Sequence, residues 1–410
     1  MFDIAVWCLV LTASLAYVNH RFVGLPTTIG VMSIALLLSV GLIALDKLGI
    51  GIFHDYEQAM LTSIDFSEVL MQGMLSLLLF AGALHVDLSE LRAVRWQVAV
   101  LAVFGTVLSS VLVAIGIWFV LPVFGIELPF IHCLLFGTLI SPTDPIAVMG
   151  ILKSAGAPKR LELVIAGESL FNDGVGVVLF SLVLAVAAGG HTPTLDEGLL
   201  LLLQEAGGGI AFGLVLGYLV FLMLRSIDSY QEEVLITLAA VLGGYALADH
   251  LHVSGPLAMV VVGLVVGNHG RALAMSDTTR KHLDMFWELL DEILNTVLFV
   301  LVGLELTLIP LSREMPLASA AAIFVALSAR LVSVTGPIVL FGRAFKLPQG
   351  SWQVLTWGGL RGGISVALAL SLPAGPERDT ILTLTDAIVV FSILFQGLTI
   401  RRVVKRAVAA

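Results

Sequence analysis

Charge is what this chain of 410 residues has least of. Charged residues make up 12% of it, against roughly 25% in an ordinary soluble domain. No polar stretch is long enough to hold a water-exposed domain of any size. Cysteine is nearly absent as well. Cys8 and Cys133 both lie inside apolar runs, which leaves neither disulfide nor metal-ligand spacing and assigns both to the core. The first apolar run begins at Asp3 without a basic leader or a small-residue cleavage site, so it reads as a retained span rather than a signal peptide. A formal net charge of −9 says little about partners here, because the position of each charge matters more than the sum.

What is present is apolar: 58% hydrophobic residues and a mean hydropathy of +1.04. Runs of roughly 20 such residues are long enough to cross a bilayer, and backbone facing lipid must satisfy itself internally. The fold class is therefore an all-α polytopic membrane protein; barrel strands would be shorter and alternating. About 13 transmembrane spans can be read. They lie near 4–19, 25–45, 66–85, 96–121, 128–152, 161–188, 199–224, 232–248, 254–268, 284–307, 316–342, 351–372 and 379–400. With the amino terminus outside, the cytoplasmic side takes all of the 21 lysines and arginines except Lys47, Arg313 and Arg378 outside and Arg330 and Arg361 within spans. That asymmetry follows the retention of positive charge in the cytoplasm, and it places the C-terminal Arg401, Arg402, Lys405 and Arg406 there too.

Two spans are interrupted. Pro142 and Pro145 break the fifth; Gly358, Gly359, Gly362 and Gly363 around Arg361 break the twelfth. Broken spans at matching places in two halves point to a transporter site where two discontinuous helices cross. This pairs spans one to six with eight to thirteen as inverted repeats, the seventh being a linker. Each proline lacks an N–H, which should free the carbonyls of Thr138 and Ser141 as cation ligands. Thr143 and Asp144 are then displayed on non-helical backbone within the membrane. A plainer reading makes Asp144 the cap of the second half-helix.

The sixth span carries Glu168-Ser169-Leu170-Phe171-Asn172-Asp173-Gly174. Ser169 and Asp173 are four apart and share a face, while Glu168 and Asn172 share the adjacent one. An ionisable residue at bilayer depth is costly and marks a functional site by default. Oxygen donors from Asp144, Asp173, Ser169 and the Thr143 carbonyl suit a hard monovalent cation. Paired, desolvated carboxylates hold either a proton or a cation, so the two compete, which is the minimal chemistry of an antiporter. Three carboxylates against two buried arginines leave one negative charge for the cation to balance. Glu168 is expected to pair with Arg330, with Asn172 bonded to that pair; Arg361, in the glycine break, is also placed to reach a carboxylate, so the sequence leaves open which arginine meets Glu168. Both arginines read as architectural.

Glu288, Asp291 and Glu292 share a face at the start of the tenth span, either as a negative vestibule that gathers cations or as a solvated helix start. Asp386 and Glu305 are further acids within apolar runs. His85, His132, His250 and His252 lie near span ends and read as interfacial.

At Ser141–Pro145, Gly167–Gly174, Ala329-Arg330 and Gly358–Gly362 the sequence resembles the cation:proton antiporters, specifically the sodium/proton exchanger branch found in bacteria, archaea and eukaryotic plasma membranes. The order of these segments agrees over essentially the whole chain. The resemblance implies a homodimer with a dimerisation domain over 1–90 and 230–310, a core ion-transport domain over 91–190 and 315–402, and a linker helix over 196–226. It implies an elevator movement of the core. Asn172-Asp173 resembles the electroneutral branch, one proton per sodium, and the core spans lack lysine, in agreement. No eukaryotic-type regulatory tail follows the last span, and the chain looks prokaryotic.

The expected activity is exchange of Na+ for H+ across the cell membrane, pointing to a role in pH homeostasis. The expected ion and proton set is Asp173, Asp144, Ser169, Thr143 and Glu168, with Na+ at the first four and Asn172, Arg330 and Arg361 balancing charge. No enzyme activity, cofactor, resident metal or nucleic-acid partner is expected; the partners are the transported cation, lipid and a second copy of the chain. Potassium or lithium exchange is the nearest alternative. An intramembrane aspartyl protease would need neither the breaks nor the buried arginines, and a channel would be poorly served by so tight a carboxylate site.

Overall fold

A computed structural model describes residues 2–47, 73–189, 200–201, 203–305, 314–345 and 347–409. Residues 66–72 of the predicted third span, 199 and 202 of the seventh and 306–307 of the tenth lie outside the described residues. So do Arg313, Lys346 and the side chains of Lys47, Lys153, Glu305 and Arg343.

Among the described residues the protein is helical and holds no strand. Its first half contains α1 (Phe2–Val18), α2 (Thr27–Lys47), α3 (Leu75–Leu84), α4 (Thr106–Val120), α5 (Phe130–Ile140), α6 (Ile146–Ala155) and α7 (Lys159–Gly189). Then come α8 (Gly208–Arg225), α9 (Tyr230–His250), α10 (Gly255–Val265), α11 (Asp277–Glu305), α12 (Met315–Phe341), α13 (Ser351–Trp357), α14 (Gly363–Leu370), α15 (Pro376–Phe391) and α16 (Gly397–Ala409). Among the described residues, 7 helical stretches are long and apolar enough to cross a membrane, and Thr27–Leu42, Leu75–Leu84, Phe130–Ile140 and Gly255–Gly270 are shorter and apolar.

Helix ends depart from the apolar runs where polar chemistry extends a helix. α11 starts seven residues before the predicted 284, because the Ser276 hydroxyl accepts the Thr279 amide at 3.3 Å and an N-terminal serine satisfies donors the helix cannot. α16 runs past the predicted 400: Ile400, Val404 and Ala407 are buried while Arg401, Arg402, Lys405 and Arg406 are exposed. That pattern is amphipathic and is invisible to a search for unbroken apolar runs.

Packing partners form two sets. α4, α5 and α7 pack together; α4 also packs on α12, α12 on α13 and α15, and α16 on α6 and α13. In the other set α2 packs on α11, α3 on α10, and α9 on α10 and α11, with α8 against α9 and α10. Lipid gives helices no hydrophobic reason to associate, so small residues and polar bonds supply the contacts. At Gly137 of α5 an added Cβ would sit 2.2 Å from the Ser110 carbonyl oxygen of α4, so only glycine allows that approach. In the second set Trp287 stacks at a tilt on Phe80 with ring centres 4.5 Å apart and donates its indole N–H to Thr237 at 3.1 Å.

Candidate functional site

The two interruptions meet. α5 ends at Ile140 and α6 resumes at Ile146; α13 ends at Trp357 and α14 resumes at Gly363. Between them the extended chains pair in antiparallel fashion at Asp144 and Leu360, the Asp144 amide donating to the Leu360 carbonyl at 2.8 Å. The proline break removes amide donors and leaves carbonyls exposed. Arg361 supplies the missing donors: Nη1 bonds the Ser141 carbonyl and, at 2.8 Å, the Pro142 carbonyl. Its own amide donates to the Ser392 hydroxyl at 2.8 Å. Arg361, the other arginine open to Glu168 in the sequence, instead holds carbonyls, one of them the Ser141 carbonyl that had been read as a cation ligand. Both N–H groups of the one Nη1 are used, so a single rigid, permanently charged group satisfies acceptors whose position the proline break has fixed.

Glu168 pairs with Arg330. Nη1 lies 2.5 Å from Oε1 and Nη2 3.0 Å from Oε2, with both side chains buried. Arg330 also donates through Nη2 to the Leu355 carbonyl at 3.1 Å, near the end of α13. This bidentate pair neutralises both groups, and Glu168 lies outside the cavity wall described below. Asn172 does not bond the pair. Its Nδ2 donates to Thr143 Oγ1 at 2.8 Å and its Oδ1 accepts the Thr143 amide at 3.3 Å. Helical spacing placed Asn172 beside Glu168, but Asn172 is one turn further along and faces the broken chain.

The remaining predicted ligands border one cavity of about 540 Å³. Its wall includes Thr143 and Asp144 from the proline break, Ser169 and Asp173 from α7, and Gly362 from the glycine break. Asp144 and Asp173 are each half-buried, whereas Ser169 and Thr143 are buried. Ser169 donates its hydroxyl proton to the Thr143 carbonyl. A hydroxyl that has given its proton away presents lone pairs elsewhere, so Ser169 Oγ remains a cation acceptor while the Thr143 carbonyl keeps a second lone pair. Close approach needs glycine at two places. A Cβ on Gly362 would stand 2.5 Å from Asp144 Oδ2, and one on Gly176 would stand 2.2 Å from Pro142 Cγ.

Glu288, Asp291 and Glu292, expected at a helix start, lie in the middle of α11 because the helix begins earlier, at Asp277; Glu288 and Asp291 line this same cavity and Glu292 does not. Three further lining residues escaped sequence reasoning: His85, which had read as interfacial, with Asn295 and Ser365. Asn295 could have been found, since it lies four residues after Asp291 on one helical face. Ser365 and the Leu360 carbonyl carry no sequence signal, because pairing across two breaks is purely tertiary. Asp386 is buried in α15.

Residues 10–406 match the family described as the transmembrane sodium/hydrogen exchanger. The chain is 54% identical over its full length to the Na(+)/H(+) antiporter NhaP of Pseudomonas aeruginosa, covering 97% of that protein. It is 37% identical to the Na(+)/H(+) antiporter NhaH of Halobacillus dabanensis over 91% of each chain. In fold it resembles the sodium proton antiporter MjNhaP1 of Methanocaldococcus jannaschii, with a TM-score of 0.77, 21% identity, and 98% of this chain and 97% of that one aligned. The chain belongs to the transmembrane sodium/hydrogen exchanger family.

Proposed function

We propose that the protein exchanges Na+ for H+ across the cell membrane, and that both bind competitively at Asp173 and Asp144 with help from Ser169 Oγ and the Thr143 carbonyl. The observation that carries this reading is the convergence of these four residues on one cavity beside two crossed helix breaks. Family membership and the similarity to an antiporter at 54% identity support the choice of ions.

The charge balance supports one-for-one exchange. Glu168 and Arg330 cancel. With Glu288 and Asp291 counted apart as the cavity's cation-gathering acids, Arg361 stands against Asp144 and Asp173, so that pair carries one negative charge that a single cation or a single proton neutralises. Losing the ion leaves a charge in a low-dielectric place, which is costly. The site therefore exchanges one ligand for the other rather than standing empty, and transport is electroneutral. Glu288 and Asp291 draw cations toward the cavity through their field.

The helices that carry the breaks, with α4, α7, α12 and α15, form the moving core in this reading. α1 to α3 and α9 to α11 form the dimerisation domain of a homodimer, and α8 links the two. The amino terminus lies outside and the carboxyl terminus in the cytoplasm.

Proteoliposomes carrying a pH gradient provide the test, with Na+, Li+ or K+ added outside and the membrane potential clamped or free. Na+ should dissipate the gradient at the same rate in both electrical conditions. Equal dissipation by K+ would overturn the ion assignment, and a rate that follows the potential would overturn electroneutrality.

A further inference from the structure

A second and larger space, a groove of about 830 Å³, lies on the far side of α7 from the ion cavity. Phe171 and Leu179 of α7 line it, with Val98 of the helix Arg95–Ala99 and Val107 of α4 opposite and Ala206 and Ile210 where α8 begins. Phe171 stands two residues from Ser169 and from Asp173, about 200° round the helix at 100° per residue, so one helix serves two spaces on opposite faces. Nine residues separate Val98 from Val107, and at 1.5 Å per residue that wall is about 13 Å long. The walls are apolar along this length.

One end is different. Arg92 and Arg95 border the groove and are exposed. Among the described residues neither forms an ion pair. The acids of the preceding turn are engaged elsewhere: Glu90 meets Lys159 at 3.2 Å, and Asp87 accepts the Ser89 amide at 2.7 Å as the cap of helix Leu88–Arg92. Those bonds hold the Asp87 carboxyl below the usual carboxylate range. Trp96, next to Arg95, is 70% exposed, and an exposed tryptophan beside basic residues at a span end marks the headgroup level of a bilayer. The Arg95 guanidinium rests over the Trp96 ring, 6.0 Å from its centre, a contact that leaves its charge unneutralised. Cationic groups without a carboxylate at headgroup level above an apolar slot match a molecule with a phosphate at one end and a hydrocarbon chain at the other.

We propose that this groove is a binding site for an anionic phospholipid, one acyl chain lying between α4, α7 and the start of α8 and the phosphate held by Arg92 and Arg95. The fit is a matter of charge as well as shape, since Arg presents a planar fork suited to phosphate oxygens. The groove is bounded by helices of both packing sets, so the bound chain touches each of them.

The full-length protein, purified in mild detergent and stripped of lipid, provides the test by native mass spectrometry and thermal unfolding. Phosphatidylglycerol, phosphatidylcholine and inorganic phosphate are added separately. The wild type should retain one phosphatidylglycerol in at least tenfold preference to phosphatidylcholine, with a raised unfolding midpoint. Arg92→Gln with Arg95→Gln should abolish the preference. Gly207→Trp should abolish retention of both lipids, because Gly207 lines the groove and a Cβ there meets no heavy atom within 4 Å, leaving room for the ring to occupy the slot. Size-exclusion profiles matching the wild type confirm that the variants fold. Undiminished phosphatidylglycerol retention in both variants would overturn the proposal, as would stabilisation of the wild type by inorganic phosphate and by no lipid.

Discussion

The break between α5 and α6 is made by prolines and the break between α13 and α14 by glycines, and the two present opposite halves of one chemistry. Proline removes donors and leaves acceptors, so the first break needs N–H groups and hydroxyls brought to it. They come from Arg361, Asn172 and Ser169. Glycine removes side chains and leaves room, so the second break lets another backbone and an aspartate approach to contact distance. An acid is displayed on the first and a base on the second. Each break is thus completed by the other, and the proposed cation site is what remains after the structural donors and acceptors have paired.

This comparison can be broken most severely at Arg361. Arg361→Ala leaves the Ser141 and Pro142 carbonyls without their donor, at about 1–3 kcal/mol for each buried acceptor. We expect a large fall in thermal midpoint and at least a hundredfold loss of exchange, with Arg361→Lys recovering only part because a flexible ammonium is not held in the planar geometry that sets Nη1 between the two carbonyls. Wild-type stability in Arg361→Ala would contradict the role assigned to it. Next in size is Arg330→Met, which strands the Glu168 charge at about 3–5 kcal/mol. Adding Glu168→Gln should restore most of the thermal midpoint, and failure of that rescue would dissolve the pairing.

A finer cut comes at the glycine break. Gly362→Ala pushes a methyl group against Asp144, and apparent Na+ affinity should fall roughly tenfold, about 1.4 kcal/mol, with little change in expression. Unchanged affinity would remove Asp144 from the site. The smallest effect is expected from Asn172→Ala, which loses two bonds to Thr143 worth about 0.5–1.5 kcal/mol each. The thermal midpoint should drop slightly while turnover falls several-fold, since Thr143 loses its clasp.

Much of this was legible in the sequence because lipid is a demanding solvent. Apolar runs, interrupted twice, located the helices and the place where they break; carboxylates at bilayer depth singled out Asp144 and Asp173, which line one cavity. The cost of leaving a buried charge alone called for an arginine at Glu168, and the fold selects Arg330 for it. Asn172 and Arg361 were misdirected for one shared reason. Spacing along a helix says which side chains are neighbours on that helix, and it says nothing of what a broken chain from elsewhere brings against them. The Leu360 carbonyl and Ser392 are partners of that kind, and no pattern in their own segments announces them. α16 and the start of α11 were cut short because their amphipathic faces dilute the apolar signal.

Sodium-driven proton movement in proteoliposomes of Asp173→Ala, beside the wild type at matched protein density, tests the central claim most directly. The account predicts that the variant folds, keeps the wild-type elution profile and carries out no exchange at any sodium concentration. Exchange at the wild-type rate in Asp173→Ala would contradict it, and would move the ion site away from the cavity between the two breaks.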